Sequence, residues 1–169
     1  PVLAFKGPVL AEDIYGNIGY RTFSDLDFLI SRRDVKKMVL RLRGLGFRQD
    51  IDLSPEQYEK LVDKFHHAML IKDGVIVEPH WELTGRYFFK KIGIDSLLPR
   101  SIEVEVAGHR LQTLGYEDLL VYLCVHGCRH HWPQLDAVCC IAELVKKKLL
   151  LDWDLVWQLA RQLGASKML

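Results

Sequence analysis

Arg21-Thr22-Phe23-Ser24-Asp25-Leu26-Asp27-Phe28-Leu29-Ile30 is the stretch that decides how this chain is read. Leu26 to Ile30 has the character of a strand. Side chains alternate along a strand, so Asp25 and Asp27 project on one face, two residues apart. Two such carboxylates repel each other, which is costly unless a cation neutralises them. A bare Asp-x-Asp at a strand end is usually a solvated pair. This one leads directly into the apolar run Phe28-Leu29-Ile30, and acids entering a buried strand are expensive without a purpose. The repulsion also sets an expectation for stability: Asp25→Asn or Asp27→Asn leaves the fold intact or slightly more stable.

Upstream, Val2 to Phe5 reads as another strand, and Lys6-Gly7-Pro8 turns it into a helix with Pro8 at the first helical position. The helix runs to about Tyr15 and stops at Gly16-Asn17. Free backbone N–H groups and the helix dipole make the Gly7 turn an anion site, and Lys6 adds a formal charge. Such turns are common alone; one preceding an Asp-x-Asp strand is a far more specific combination.

Downstream, Ser31-Arg32-Arg33-Asp34 has capping-box character, with Asp in place of Glu. The helix behind it puts Val35, Met38, Val39 and Leu42 on one face and ends at Gly44 to Gly46. Ser54-Pro55-Glu56-Gln57 is a second capping box, opening a helix to about Asp63. A hairpin is expected from His67 to Ile71 and Val75 to His80, around Lys72-Asp73-Gly74. A weaker one joins Ile102–Val106 to His109–Gln112 through Ala107-Gly108. From Thr113 the texture is helical only, with helices over Tyr116–His131, Pro133–Lys148 and Asp152–Leu163, the last stopped by Gly164. The plan is a core over residues 1–112 followed by a helical subdomain over 113–169.

The 169 residues suit one compact domain or a core with a small satellite. Apolar residues make up 49% and the formal net charge is +1, so disorder is excluded and there is no global pull toward nucleic acid or anionic membrane. No apolar run approaches the roughly 20 residues of a membrane span, and no signal peptide is visible. Cys124, Cys128, Cys139 and Cys140 form no CxxC pair and sit in helix-like apolar sequence, where a thiol behaves as a small hydrophobe. A reducing, cytoplasmic setting is expected. Because Pro1 opens directly into an apolar strand-like segment, further residues are expected beyond the chain ends.

Lys6-Gly7, Arg21 and Asp25-Leu26-Asp27 together resemble the DNA polymerase beta-like nucleotidyltransferase superfamily, with its glycine turn and Asp-x-Asp strand. The likeness is strongest to a group of uncharacterised bacterial nucleotidyltransferases whose turn reads LKG and whose strand reads R..DIDLLV. It continues through Val77-Glu78-Pro79-His80-Trp81, similar to that group's ELHW. It extends to Leu114, Glu117-Asp118-Leu119-Leu120 and the segment from His126 to Trp132, and so covers most of the chain.

The resemblance implies an α+β fold, a mixed sheet flanked by helices with a C-terminal helical subdomain. It implies a metal-dependent enzyme that transfers NMP from an NTP, ATP first among them, to an unidentified acceptor hydroxyl or phosphate, releasing pyrophosphate. Asp25 and Asp27 would hold Mg²⁺ or Mn²⁺, with Glu78 completing the site and Glu82 in reserve; two such ions would activate the attacking oxygen and stabilise the leaving one. Lys6, Gly7, Arg21 and Ser24 would contact phosphate oxygens, Arg21 through its bidentate fork. Alternation along Val75 to His80 puts Glu78 on one face with Ile76 and His80, against Val75 and Val77. With the valines inward, a Glu78 oxygen is expected within roughly 4–6 Å of an Asp25 or Asp27 oxygen, with His80 beside it. No membrane partner is implied and nucleic acid is not indicated.

The chain departs from the group's pattern in three places. Lys6-Gly7 stands where many superfamily members carry Gly-Gly or Gly-Ser, and Cys140 stands where an Asp is usual. Pro79 replaces Leu and removes a ladder donor, so its strand is expected to be an edge or to end there. The alternative to an enzyme is a catalytically inactive module of the same fold that binds a nucleotide or a partner protein.

His126 and His130 have the helical spacing that lets two imidazoles share a metal. Zinc would need a third ligand, and local hydrogen bonding at a domain interface is the expected role. The basic residues Arg32, Arg33, Lys36, Lys37, Arg41 and Arg43 lack interleaved aromatics, which favours a solvated face over a single-strand nucleic-acid platform. Trp153 and Trp157 are most simply core or interface.

Overall fold

The structure, a computed structural model, describes residues 1–49, 55–85, 91–132, 134–147 and 150–169. Strand β1 (Val2–Ala4) runs into helix α1 (Gly7–Tyr15), whose buried face is Val9, Leu10, Ala11 and Ile14. Gly16 ends α1 in the left-handed conformation and donates its N–H to Glu12 O. Strand β2 (Asp25–Ile30) pairs antiparallel with β1. A 3-10 turn over Arg32–Asp34 then leads into helix α2 (Val35–Gly44), which buries Val35, Val39 and Leu42. The capping box read at Ser31 does not form. The 3-10 turn separates Ser31 from the α-helix, which starts at Val35, and the Ser31 side chain makes no capping bond.

Helix α3 (Pro55–Lys64) follows; its expected cap, Ser54, lies outside the described residues. Strands β3 (Leu70–Lys72) and β4 (Val75–His80) form the expected hairpin, turning through Asp73 and Gly74, both at positive φ. The sheet order is β1-β2-β4-β3, with β2 and β4 parallel.

This order corrects the expectation drawn from Pro79. Its strand is interior, flanked by β2 and β3, and continues to His80. Pro79 O accepts from Ala68 N at 3.1 Å, and the proline nitrogen on that side has no hydrogen to return. The missing donor therefore interrupts the ladder beside Ala68, between the His67–His80 bridge and the Leu70–Val77 pair, and leaves the β2 side intact.

Strands β5 (Ile102–Val106) and β6 (His109–Thr113) make a separate hairpin, with Val106 packed against Ala4 and Val9. Helices α4 (Tyr116–Arg129), α5 (Leu135–Lys147) and α6 (Trp153–Leu163) complete the chain. Asp152 caps α6 by accepting from Leu155 N, and Gly164 stops it. Helix α4 ends short of the expected His131 because His131 and Trp132 turn into the left-handed region. The Trp132 ring folds back over Gly127, where an added Cβ would lie 2.2 Å from it.

Both faces of the sheet are buried. Leu26, Phe28, Ile30 and Val77 pack with Val35, Val39 and Leu42. Leu3, Phe5 and Leu29 face the other way, into a larger core with Leu10 and Ile14 of α1 and residues of α4, α5 and α6. That core draws on residues from both sides of position 112. No described helix is long and apolar enough to cross a membrane.

Candidate active site

The parallel register of β2 and β4 builds the site. Asp27 stands opposite Glu78, and Leu29 opposite His80. Alternation therefore puts Asp25, Asp27, Glu78 and His80 on the face turned toward α4, while Leu26 and Val77 take the α2 face. Asp27 is 2% exposed. Its Oδ1 meets His80 Nε2 at 2.8 Å and Lys6 Nζ at 3.0 Å, and the same His80 nitrogen lies 3.5 Å from Glu78 Oε2. Ligand atoms of Asp27, Glu78 and His80 all fall within 4.8 Å of one another. Asp27 Oδ2 and His80 Nδ1 are buried with no hydrogen-bond partner among the described residues.

The glycine turn packs directly against these acids. Gly7 has φ +56°, and a Cβ there would lie 2.9 Å from the Asp25 carbonyl oxygen. Only glycine meets both conditions. The turn thus brings Lys6 to Asp27 and the start of α1 to the carboxylate end of β2.

The charges are unequal in their settings. Burial and the like charge of Asp27 push the Asp25 carboxyl up. Burial would do the same to Asp27, but the His80 bond and the Lys6 ammonium hold it below the usual range. The His80 bond also lowers Glu78. Burial would lower His80 and Lys6; their acidic partners, and the Tyr122 phenol beside Lys6, win and raise both.

A cleft of about 270 Å³ opens over this face. Lys6, Asp25, Glu78 and His80 form its floor, and Tyr122, His126, Arg129 and His130 of α4 form the facing wall. Burial lowers the wall histidines, His126 to about 3. His66 and His67 close a third side. They are held there by Trp81, whose N–H donates to His66 O at 2.9 Å and whose Nε1 donates to Phe65 O at 3.0 Å. Burial lowers both, His66 to about 4.

Of the residues singled out in the sequence, the structure brings Lys6, Gly7, Asp25, Asp27 and Glu78 together. Arg21 lies apart, 3.3 Å from Asp136 of α5, and Ser24 is exposed just before β2. Glu82 faces a neighbouring cleft, paired with Lys91 at 2.9 Å and Arg32 at 3.8 Å. His126 and His130 have ring centroids 4.5 Å apart, and no third His, Cys, Asp or Glu completes a metal-binding group with them among the described residues. Cys140 instead accepts from Tyr15 OH at 3.6 Å.

Sequence reasoning missed Tyr122, Arg129, His66 and His67 as site residues. The first two were detectable: Tyr122, His126, Arg129 and His130 recur at three- and four-residue spacing, a polar stripe on an otherwise apolar helix. The His66-His67 doublet carries no such periodic signal.

The fold is similar to the solution structure of the antibiotic-resistance factor ANT(2'')-Ia, with a TM-score of 0.63 at 12% identity, over 99% of this chain and 83% of that one. No curated protein matches the chain. The sequence model of a family described as uncharacterised nucleotidyltransferase matches residues 1–169. With the match running its full length and the mixed-sheet fold in agreement, the chain belongs to that family of uncharacterised nucleotidyltransferases.

Proposed function

We propose that this protein acts in the cytoplasm and transfers NMP from an NTP, ATP first among them, to an acceptor hydroxyl or phosphate. Pyrophosphate leaves, and Asp25, Asp27 and Glu78 hold Mg²⁺ or Mn²⁺. The observation that carries this reading is the pairing of Asp27 with Glu78 across parallel strands, which gathers three carboxylates beside the Gly7 turn. The donor set fits a hard divalent cation, since it is all oxygen and includes the buried, unpartnered Asp27 Oδ2. A cation bound there supplies charge stabilisation for the leaving pyrophosphate.

The protein's own groups do the rest. Lys6 and the backbone N–H groups of the Gly7 turn bind phosphate oxygens at the start of α1. Ser24 lies next to the pair in sequence, and Arg21 reaches a phosphate by exchanging its Asp136 partner. In this reading residues 1–112 form the nucleotide-binding core, and residues 113–169 supply the acceptor wall through the polar stripe of α4.

Incubation with each α-labelled NTP, Mg²⁺ or Mn²⁺ and cell extract tests the proposal. Label is expected in an acceptor, and its appearance is abolished by EDTA and by Asp25→Asn. ATP binding without transfer under either metal supports the second reading, a catalytically inactive nucleotide-binding module. One observation favours that reading: Lys6 and His80 already share Asp27 Oδ1, so the protein's own groups, the Lys6 ammonium among them, occupy one acid of the pair.

A further inference from the structure

Beside the carboxylates lies a donor set of different chemistry. A ring nitrogen of each of His66, His67 and His80 lies within 4.8 Å of the other two. Consecutive residues of a regular strand point to opposite faces. Here the His66 and His67 ring centroids are only 4.5 Å apart, and His67 stacks on His80 at 4.9 Å with 22° between the planes. The convergence has a backbone cause. His67 pairs with His80 in the same register as Leu70 with Val77 and so shares the face of His80, while Trp81 N–H ties His66 O and holds His66 at the end of the ladder beside it.

Two further features point to a ligand. His80 is 6% exposed, and its Nδ1 is buried without a partner among the described residues. Glu78 Oε2 lies 4.0 Å from His67 Nε2 and 3.5 Å from His80 Nε2, a negative charge at the edge of the trio that favours a bound cation. The bond between His67 Nδ1 and His66 Nε2, at 3.3 Å, is the one contact inside the trio that an ion would replace.

We propose that His66, His67 and His80 form a binding site for a borderline transition ion, Zn²⁺ in the first place, with the fourth position open to water. Three imidazoles, with the fourth position left to water, suit four-coordinate Zn²⁺. Mg²⁺ selects oxygen ligands in octahedral array and is not served by this set. The site is distinct in donors from the Asp25–Asp27 pair, although Glu78 borders both.

Co²⁺, a spectroscopic stand-in for Zn²⁺, tests the assignment on the full chain stripped with EDTA, by a readout independent of transfer activity. Titration is expected to develop the visible d–d band of a four-coordinate ion, saturating at about one equivalent. Zn²⁺ bleaches the band and excess Mg²⁺ does not. His66→Gln and His67→Gln each weaken binding at least about tenfold while keeping the metal-free circular dichroism of the native chain. His67→Cys retains the ion and adds a thiolate charge-transfer band, a gain of signal that an unfolded variant cannot give. Asp25→Asn and His126→Gln titrate as the native chain does. No Co²⁺ binding by the native chain overturns the proposal. So does binding unchanged in both glutamine variants, or binding lost in Asp25→Asn and kept in His66→Gln.

Discussion

Lys6 Nζ and Asp27 Oδ1 are 3.0 Å apart, a buried ion pair that ties the glycine turn to the Asp-x-Asp strand. It makes the two acids of that strand unlike each other. Asp27 is stabilised as a carboxylate by Lys6 and His80, whereas Asp25 carries the burden of burial and of its neighbour's charge.

The two asparagine substitutions therefore part company, against the equal outcome expected from repulsion alone. Asp27→Asn removes the anion facing buried Lys6 and is expected to cost about 2–4 kcal/mol of stability. Asp25→Asn relieves crowding and leaves stability unchanged or slightly raised. Urea denaturation at pH 7 in EDTA separates them, and an Asp27→Asn protein as stable as the native chain would count against the ion pair.

Phosphate contacts are read by comparing ligands of different charge. Lys6→Ala is expected to weaken ATP binding about tenfold or more and adenosine binding little, because a charge-assisted bond to phosphate is lost. Arg21→Ala gives a smaller ATP effect, since Arg21 stands at Asp136 and does not line the cleft as Lys6 does. Calorimetric titration with ATP, AMP and adenosine measures all three. Equal losses across the ligands would place these side chains with the fold.

Gly7→Ala probes the turn itself. Its φ of +56° disfavours any side chain, and the new Cβ would press on the Asp25 carbonyl from 2.9 Å. The conformational penalty is about 1–2 kcal/mol, and relief of the contact shifts Asp25. Thermal melting should show the loss, and divalent-cation binding should weaken in the same protein. A variant that melts and binds cation like the native chain would show that the turn relaxes freely.

Acid should destabilise the fold through His126. Burial depresses its folded-state pKa to about 3, below the ordinary 6.5 that the unfolded chain shows. The unfolded state therefore binds the proton first as pH falls, and stability present above about 6.5 is lost progressively down to about 3. Between pH 7 and pH 5 the loss from this residue should be about 1–2 kcal/mol. Urea midpoints across that range check it, and His126→Gln should flatten the dependence. An unchanged slope in the variant would assign the effect elsewhere.

Much of the fold was legible in the residues. The strand at Leu26–Ile30, the helix stops at Gly16 and Gly164, the Asp152 cap and the Asp73-Gly74 hairpin turn all depend on near neighbours. Local reading failed where the backbone took a course that the motif alone does not show. The turn after Ser31 became 3-10 and set its capping box aside, and the strand of Pro79 stayed interior because its missing bond fell beside Ala68. The chain beyond Arg129 left the helix as Trp132 folded over Gly127.

For the candidate site, the sequence by itself determined which side chains share a face of one strand: Asp25 with Asp27, and Glu78 with His80. It also determined that a glycine turn precedes them. Tertiary structure alone decided that Asp27 stands opposite Glu78, that Lys6 and His80 converge on one oxygen of Asp27, and that Arg21 turns to Asp136. It also decided that His66 and His67 close the cleft opposite the stripe of α4. The physical reason is range. Periodicity and capping act over a few residues, whereas the partner of a buried charge depends on sheet register and helix docking between segments tens of residues apart.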